Sequence, residues 1–321
     1  MGTSNENKAL GVQFLEIDEE YAGQRLDNFL LTRLKGAPKS LIYRIVRKGE
    51  VRVNKGRIKP DYRLQAGDVL RIPPVRLGEK TPAKPSNQVL DRIASGILYE
   101  DKRILIINKP AGIAVHGGSG INFGVIEALR ALRPEAPFLE LVHRLDRDTS
   151  GCLIIAKKRS ALRVLHDLLR ENRMAKFYLA LLRGEWRGGD RILDFPLRKN
   201  TLQSGERVVK VSADGKPARS LFSPQNTKAA ASLVQVRLET GRTHQIRVHA
   251  AHAGFPIAGD EKYGDEEFNR QMKEQGLKRL FLHAHQLDFT FPDDGQRINI
   301  TAPLPDDLKQ VLIKLDMRNR V

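Results

Sequence analysis

The sequence predicts an α+β fold in two domains, the larger built around a big sheet. Three observations lead there. A polar, proline-rich stretch interrupts the chain near residue 80, two helical patterns and short strands precede it, and strand-like apolar runs outnumber helices after it. At roughly 150 residues per domain, the length of 321 residues also suggests two domains. The expected layout is a leading segment at 1–20, a small α/β domain at 21–75, a linker at 76–95 and a main domain at 96–321.

In the small domain, Leu26, Phe29, Leu30 and Leu34 recur at helical spacing behind Arg25. Past Gly36 and Pro38, a second helix gathers Leu41, Ile42, Ile45 and Val46 on one face. Lys39, Arg44, Arg47 and Lys48 take other positions, and Gly49 is placed to end the helix. Val51-Arg52-Val53-Asn54 alternates as a strand, Asn54-Lys55-Gly56 makes a turn, and Val69-Leu70-Arg71-Ile72 follows Gly67-Asp68 as another short strand. Pro73-Pro74, Pro82 and Pro85 then fall in a polar run without hydrophobic period, a composition that suits a linker. Beyond it, Ile104-Leu105-Ile106-Ile107 and residues 139–142, 152–156, 176–182 and 233–238 have strand character. Val125, Ile126, Leu129 and Leu132 have helical spacing, as do Ala161, Leu162, Leu165, Leu168 and Leu169. No repeat with a period of roughly 20–50 residues is evident.

Lys and Arg number 55 against 38 Asp and Glu, a formal net charge of +17. Residues 25–76 hold fourteen of the bases and four of the acids, so +10 of that excess sits in about a sixth of the chain. Such an excess points to a polyanion, either nucleic acid or an acidic membrane surface. The longest apolar runs, such as residues 104–107, fall far short of the roughly 20 residues that cross a bilayer. The first eleven residues lack the apolar core of a secretory signal, and Glu6 stands where a myristoylation pattern wants Ser or Thr. The one cysteine, Cys152, excludes an internal disulfide and a multi-cysteine zinc or iron–sulfur site. These exclusions predict a soluble, cytoplasmic chain.

Two segments are dense in reactive groups. His143-Arg144-Leu145-Asp146-Arg147-Asp148-Thr149-Ser150-Gly151 joins two apolar runs and puts two arginines, two carboxylates and a histidine in one loop. Asp148-Thr149-Ser150-Gly151 suits a turn, whereas Asp146 stands beside an inward-pointing Leu145 between Arg144 and Arg147. Gly241-Arg242-Thr243-His244-Gln245-Ile246-Arg247-Val248-His249 can start a helix near Thr243, with Gln245 and Arg247 on different faces. His244, His249 and His252 match no zinc spacing, so capping and packing are their expected roles. Taken singly, Lys109-Pro110-Ala111-Gly112 is turn chemistry and Tyr178 a sheet-core aromatic.

In order, these segments resemble the RNA pseudouridine synthases that act on large-subunit (23S) ribosomal RNA. The resemblance covers nearly all of residues 25–300 and rests on Lys109-Pro110-Ala111-Gly112, the loop from His143, Lys176-Phe177-Tyr178, and the segment from Gly241 to His249. The small domain resembles the S4 RNA-binding domain, through Arg25-Leu26-Asp27, Ser40, Arg47-Lys48-Gly49-Glu50-Val51, Val53-Asn54 and Gly67-Asp68. The resemblance implies a large mixed, mainly antiparallel sheet flanked by helices and loops, preceded by a small S4-like unit. It implies isomerisation of uridine: the glycosidic bond breaks, the uracil turns, and C5 bonds to the ribose. No electrons leave, so no cofactor and no metal are expected.

By the same resemblance, Asp146 is the catalytic carboxylate, attacking the ribose or taking part in a glycal route, and Arg247 is its ion-pair partner. Arg144 takes the place of the flipped uridine in the RNA stack, and Tyr178 stacks on the uracil, its hydroxyl a candidate for removing the C5 proton. Leu280 and Leu282 are the candidate apolar wedge on the other side, and Lys39, Arg44, Arg47 and Lys48 are the expected S4-like contacts to RNA. The expected partner is large-subunit ribosomal RNA or a precursor ribosomal particle, with no membrane and a monomeric enzyme. A non-catalytic RNA binder would be favoured by loss of the Asp146 carboxylate, which is present. A zinc deaminase needs a Pro-Cys-x-x-Cys segment that one cysteine cannot supply. Membrane attachment through basic residues lacks an amphipathic anchor.

Overall fold

A computed structural model describes residues 11–34, 37–75, 85–118, 123–201 and 207–317. The chain divides into two units, Met1–Pro82 and Ala83–Val321. Gly36 of the expected first turn, Gly78, Glu79, Lys80, Pro82 and Lys84 of the expected linker, and Ser119-Gly120 lie outside the described residues, as do residues 1–10.

In the first unit the apolar spacing forms α1 (Leu26–Arg33) and α2 (Lys39–Arg47). They bury Leu26, Phe29 and Leu30 of α1 against Ile42, Ile45 and Val46 of α2. Asp27 is buried with them and satisfied, accepting from Arg25 Nη2 at 2.8 Å and the Tyr43 hydroxyl at 2.9 Å. Gly49 ends α2 with φ +72°, and the chain returns through β2 (Arg52–Val53) and β3 (Val69–Ile72). Asn54 and Lys55 both take positive φ, and the Asn54 side chain ties their turn to Asp68 Oδ1 and to the Val69 N–H, each at 2.8 Å. The expected leading segment is shorter than the sequence suggested. Gln13–Glu16 forms β1, which pairs antiparallel with β3, and Ile17 is buried in the same core. Its few polar-flanked apolar residues carry too short a period to be read as a strand alone. Lys39, Arg44, Arg47 and Lys48 all stand exposed on or just after α2, and Lys39 and Arg47 lie over the Tyr43 ring.

The second unit opens with α3 (Asn87–Ala94), inside the stretch expected to be linker. Ile93 is fully buried there and Val89 and Leu90 pack beside it, but eight residues behind Pro85 are too few for the pattern to stand out. There follow β4 (Ile97–Glu100), β5 (Ile104–Lys109), α4 (Val125–Leu132), β6 (Glu140–Leu141), β7 (Ser150–Ala156), α5 (Arg159–Arg170) and β8 (Ala175–Arg183). Next come β9 (Arg191–Asp194), the hairpin β10 (Leu197–Thr201) and β11 (Arg207–Val211), then β12 (Arg219–Thr227) and β13 (Ala231–Leu238). The chain closes with α6 (Gln245–His252), α7 (Glu266–Glu274), β14 (Leu282–Thr290), β15 (Arg297–Thr301) and α8 (Asp306–Lys314).

Ten of these strands form one sheet in the order β4-β5-β7-β14-β8-β13-β12-β9, with β6 also on β7 and β15 also on β14. Every pairing is antiparallel except β7 with β14, where Ser150 faces His283 and Gly151 faces Ala284. The sheet is thus mixed and mainly antiparallel, as expected. Its central strands are near-continuous apolar runs because both faces are covered. Cys152 lies in β7, and burial pushes its thiol up to about 12, so it serves as an inert core side chain.

Candidate active site

The loop leading into β7 is pinned from three sides. Its first residue, His143, accepts the Ile154 N–H at Nε2 (3.2 Å), and the Thr149 N–H closes a turn on the Asp146 carbonyl (3.2 Å). Leu145 points into the core, as its apolar character predicts. Beneath the loop, Lys109 is wholly buried, and its Nζ donates to the carbonyls of Pro110 (2.9 Å), Ile113 (2.8 Å) and Arg147 (3.0 Å). Three carbonyls match the three donors of an ammonium, although burial pulls the Lys109 pKa down to about 7 against the charges of Asp148 and Asp146. The Gly112 N–H donates to the same Arg147 carbonyl at 2.9 Å. Lys109-Pro110-Ala111-Gly112 is therefore more than a turn, because it fastens the Asp146 loop to the sheet.

The other end of the loop sits where β7 meets β14. Gly151 has φ +110°, and a Cβ there would stand 2.2 Å from the Ala284 carbonyl oxygen, so no side chain fits. Next to it, the ring of His283 donates from Nε2 to the Ala302 carbonyl (3.1 Å), which leaves Nδ1 to accept the Ser150 hydroxyl (2.9 Å). Burial takes the His283 pKa down to about 4, while a histidine in the unfolded chain titrates near 6.5. The unfolded chain therefore binds this proton first, and acidification from 6.5 towards 4 should favour unfolding, by up to about 3 kcal/mol from this one group. Urea unfolding across that pH window should show a flatter dependence for His283→Gln than for the wild type. Identical slopes would mean that His283 is not the titrating group.

The second dense segment forms α6 and the turn before it. His244 stands at the helix N-cap with φ +54°, a left-handed conformation that turns the chain towards the Asp146 loop. Gln245 is buried and fully used. Its Oε1 accepts from Thr240 Oγ1 (2.7 Å) and the Arg242 N–H (3.0 Å), and its Nε2 donates to Ser220 Oγ (2.8 Å) and the Arg219 carbonyl (3.0 Å). His249 bonds Ser220 Oγ and the Phe195 carbonyl, and His252 packs edge-on to the Phe195 ring. These two histidines anchor the helix. Among the described residues no three His, Cys, Asp or Glu side chains gather as metal ligands.

Arg247 faces the other way and joins two carboxylates. Its Nη1 donates to Asp146 Oδ2 at 3.2 Å, while Nε and Nη2 clamp Asp260 Oδ2 and Oδ1, both at 2.7 Å. Burial works against its charge, but the hydrogen bonds and charge of Asp260, and then those of Asp146, outweigh it and raise the pKa. Asp260 behaves reciprocally: burial opposes its charge, and Arg247 with the N–H groups of Tyr263 and Lys262 holds its carboxyl below the usual range. His244 Nε2 approaches Asp146 Oδ2 at 3.7 Å, and its Nδ1 lies 2.8 Å from the Tyr263 hydroxyl.

These groups open on a cavity of about 540 Å³. Asp146, with its side chain 27% exposed, lies in it beside Arg247, and Tyr178, Leu282, Thr149 and His244 also line it. Tyr178 is buried in β8, and that burial together with the charge of Asp146 raises its pKa, so the phenol stays protonated. Arg144 is exposed at the cavity, and Arg170, Lys176 and Arg242 add further positive charge around it. Leu280 does not line the cavity but is buried in the main core. Sequence reasoning missed Asp260 and Tyr263. The only signal was Gly259-Asp260 shortly after α6, and Gly259 has φ +73° with the Arg279 carbonyl 2.2 Å from where a Cβ would stand.

A family model described as RNA pseudouridylate synthase matches residues 103–252, which include both dense segments, and one for the S4 domain matches residues 24–70. The chain is 59% identical over 308 residues to ribosomal large subunit pseudouridine synthase C of Escherichia coli K12, covering 95% of this chain and 97% of that one. The chain belongs to the RNA pseudouridine synthase family. The same-named protein of Haemophilus ducreyi is 58% identical over 316 residues, 98% of each chain. Among solved pseudouridine synthase structures, human RNA pseudouridylate synthase domain-containing 4 aligns with TM-score 0.60 and 26% identity, covering 72% of this chain and 97% of that one. As a pseudouridine synthase the chain is an RNA isomerase, with an S4 domain ahead of its catalytic domain. Among the described residues no helix is long and apolar enough to cross a membrane.

Proposed function

We propose that the enzyme isomerises uridine to pseudouridine at defined sites in large-subunit ribosomal RNA, with Asp146 as the catalytic carboxylate and no cofactor. The observation that supports this best is the Arg247–Asp146 pair at 3.2 Å inside the cavity, held from behind by Asp260. A guanidinium fixed at one carboxylate oxygen pairs with Asp146 and orients it where substrate closes the site to water. The Asp146 carboxylate then either attacks the ribose C1′ or assists departure of the base through a glycal. In both routes the C1′–N1 bond breaks, the C1′–C5 bond forms, the C5 proton leaves, and N1 gains a proton.

A uridine within folded RNA reaches such a cavity only by leaving its stack. Arg144, exposed at the cavity with a planar cation, suits the vacated space. Tyr178 and Leu282 offer an aromatic and an apolar surface to the uracil. Because the Tyr178 phenol is held protonated, stacking fits its surroundings better than proton removal. Lys39, Arg44, Arg47 and Lys48 present exposed charge on one short helix and its cap, a surface suited to RNA phosphates. The similarity to synthase C extends through this unit as well.

The test is chemical. Ribosomal RNA transcribed with tritium at uridine C5 should release tritium stoichiometrically with pseudouridine when incubated with the purified protein in excess EDTA and no added nucleotide. Pseudouridine mapping in cells with and without the gene then identifies the positions. Release that requires zinc or a nicotinamide, or mapping that finds changes only outside large-subunit RNA, would overturn the corresponding part of the proposal.

A further inference from the structure

We infer that His244 is a positioning residue for Asp146 and that the Tyr263 hydroxyl sets its tautomer, linking β11 of the β10–β11 hairpin to the catalytic carboxylate. The inference rests on the assignment of Asp146 proposed above. Three contacts form the link. The Val209 N–H in β11 donates to the Tyr263 hydroxyl oxygen at 2.9 Å. That hydroxyl lies 2.8 Å from His244 Nδ1, and His244 Nε2 points at Asp146 Oδ2 from 3.7 Å.

The proton positions follow from counting donors. The Tyr263 oxygen accepts from an amide that can only donate, so its own hydrogen can go to His244 Nδ1, and the Asp146 carboxylate favours that arrangement because a bare Nε2 lone pair would otherwise face a carboxylate oxygen. A neutral imidazole that accepts at Nδ1 must carry its hydrogen on Nε2, facing Asp146. Burial lowers the His244 pKa and favours this neutral form, with Asp146 and Asp260 pulling the other way and Arg247 and Lys262 assisting burial. Arg247 Nη1 reaches the same oxygen, Oδ2. Two N–H groups therefore converge on Oδ2 and leave Oδ1 for the substrate. At 3.7 Å the histidine contact is not yet a hydrogen bond, but such contacts shorten when substrate excludes water from a site. The strained backbone supports a positional role: His244 holds φ +54° at the head of α6, a conformation that costs energy in a residue with a Cβ.

Tyr263 does something else as well, since its ring lies 5.1 Å from the Arg247 guanidinium. A phenylalanine keeps that ring and removes only the hydroxyl. The experiment is a double-mutant cycle in single-turnover tritium release, with RNA affinity and thermal unfolding measured for each protein. His244→Phe should slow release roughly ten- to a hundredfold, the scale of one hydrogen bond to a charged group, with RNA affinity unchanged. His244→Gln places an amide N–H near the position of Nε2 and should recover most of that loss. Tyr263→Phe should cost several-fold in the wild-type background and almost nothing with His244→Gln, because it acts through the imidazole.

A purely structural Tyr263 would cost the same in both backgrounds, and that additivity would overturn the coupling. Wild-type rates in His244→Phe would overturn the role of His244 itself. Asp146→Asn is run beside them. If wild-type protein is active and Asp146→Asn is not, either failure belongs to the relay alone. If wild-type protein releases no tritium, the proposed function fails and takes the relay with it.

Discussion

Asp146→Asn should stop pseudouridine formation, with a fall of roughly 10⁴-fold or more, while the fold and the affinity for RNA stay close to wild type. The amide keeps the size of the carboxylate, and the loop turn survives because the Thr149 N–H donates to the main-chain carbonyl of residue 146, which the substitution leaves in place. What disappears is the charge proposed to attack the ribose or assist departure of the base, and among the described residues that line the cavity the other acid, Glu239, is paired with Arg219. Asp148→Asn is the matched control. Asp148 sits two residues away, is 46% exposed and among the described residues is ion-paired only with its neighbour Arg147, so its loss should leave turnover within a few-fold. Tritium release and filter binding on the same preparations decide between the two aspartates. Equal activity of Asp146→Asn and wild type would remove the main chemical support for Asp146.

How much of this was visible in the sequence depended on burial and on distance along the chain. β5, β7, β8 and β13 are covered on both faces, so they read as apolar runs, and α4 and α5 bury one face and show the helical period. β12 gave no such signal: toward one end it is half-buried, it carries Ser223, Pro224, Gln225 and Asn226, and its register shifts between Pro224 and Asn226. β14 hid for another reason, since its inward positions include His283 and His285, whose polar rings are buried in the sheet. α7 is mostly charged and polar, burying only Phe268 and Met272, which is too little apolar surface to mark a core helix from its sequence.

The site divided in the same way. Asp146, Arg144 and Arg247 lie in dense polar segments that pattern reading can find, and Arg247 meets Asp146 across 101 positions as the family resemblance implied. Taken singly, Lys109 reads as part of a turn, because its partners are backbone carbonyls, which have no signature in a sequence. Asp260 and Tyr263 escaped because a buried carboxylate and a surface one look alike until the fold supplies their partners. The consequence for the proposed mechanism is that Asp146 is oriented by groups whose own importance comes from a second layer of contacts.

That layer can be measured. Asp260→Asn should lower stability by about 3–5 kcal/mol and activity by roughly a hundredfold or more, although Asp260 is buried and does not line the cavity. Its Oδ1 accepts from the N–H groups of Lys262 and Tyr263 as well as from Arg247, and its Oδ2 takes the Arg247 Nε–H. An asparagine oriented to keep the two backbone N–H groups must turn its amide N–H₂ towards the guanidinium, donor against donor. Arg247 would then be a buried cation with only the partly exposed Asp146 to pair with, and it would leave the geometry that holds Oδ2. Arg247→Met should be comparably destabilising, because it strands the Asp260 charge instead. Combining the two removes both buried charges, so the double variant should recover much of the stability lost in either single variant and yet remain inactive. Urea unfolding and tritium release separate the outcomes: stability returns when the charges are removed together, whereas catalysis needs the guanidinium in place. If the double variant were as unstable as the sum of the singles, Arg247 and Asp260 would not act as a pair. If it were active, Arg247 would have no part in orienting Asp146.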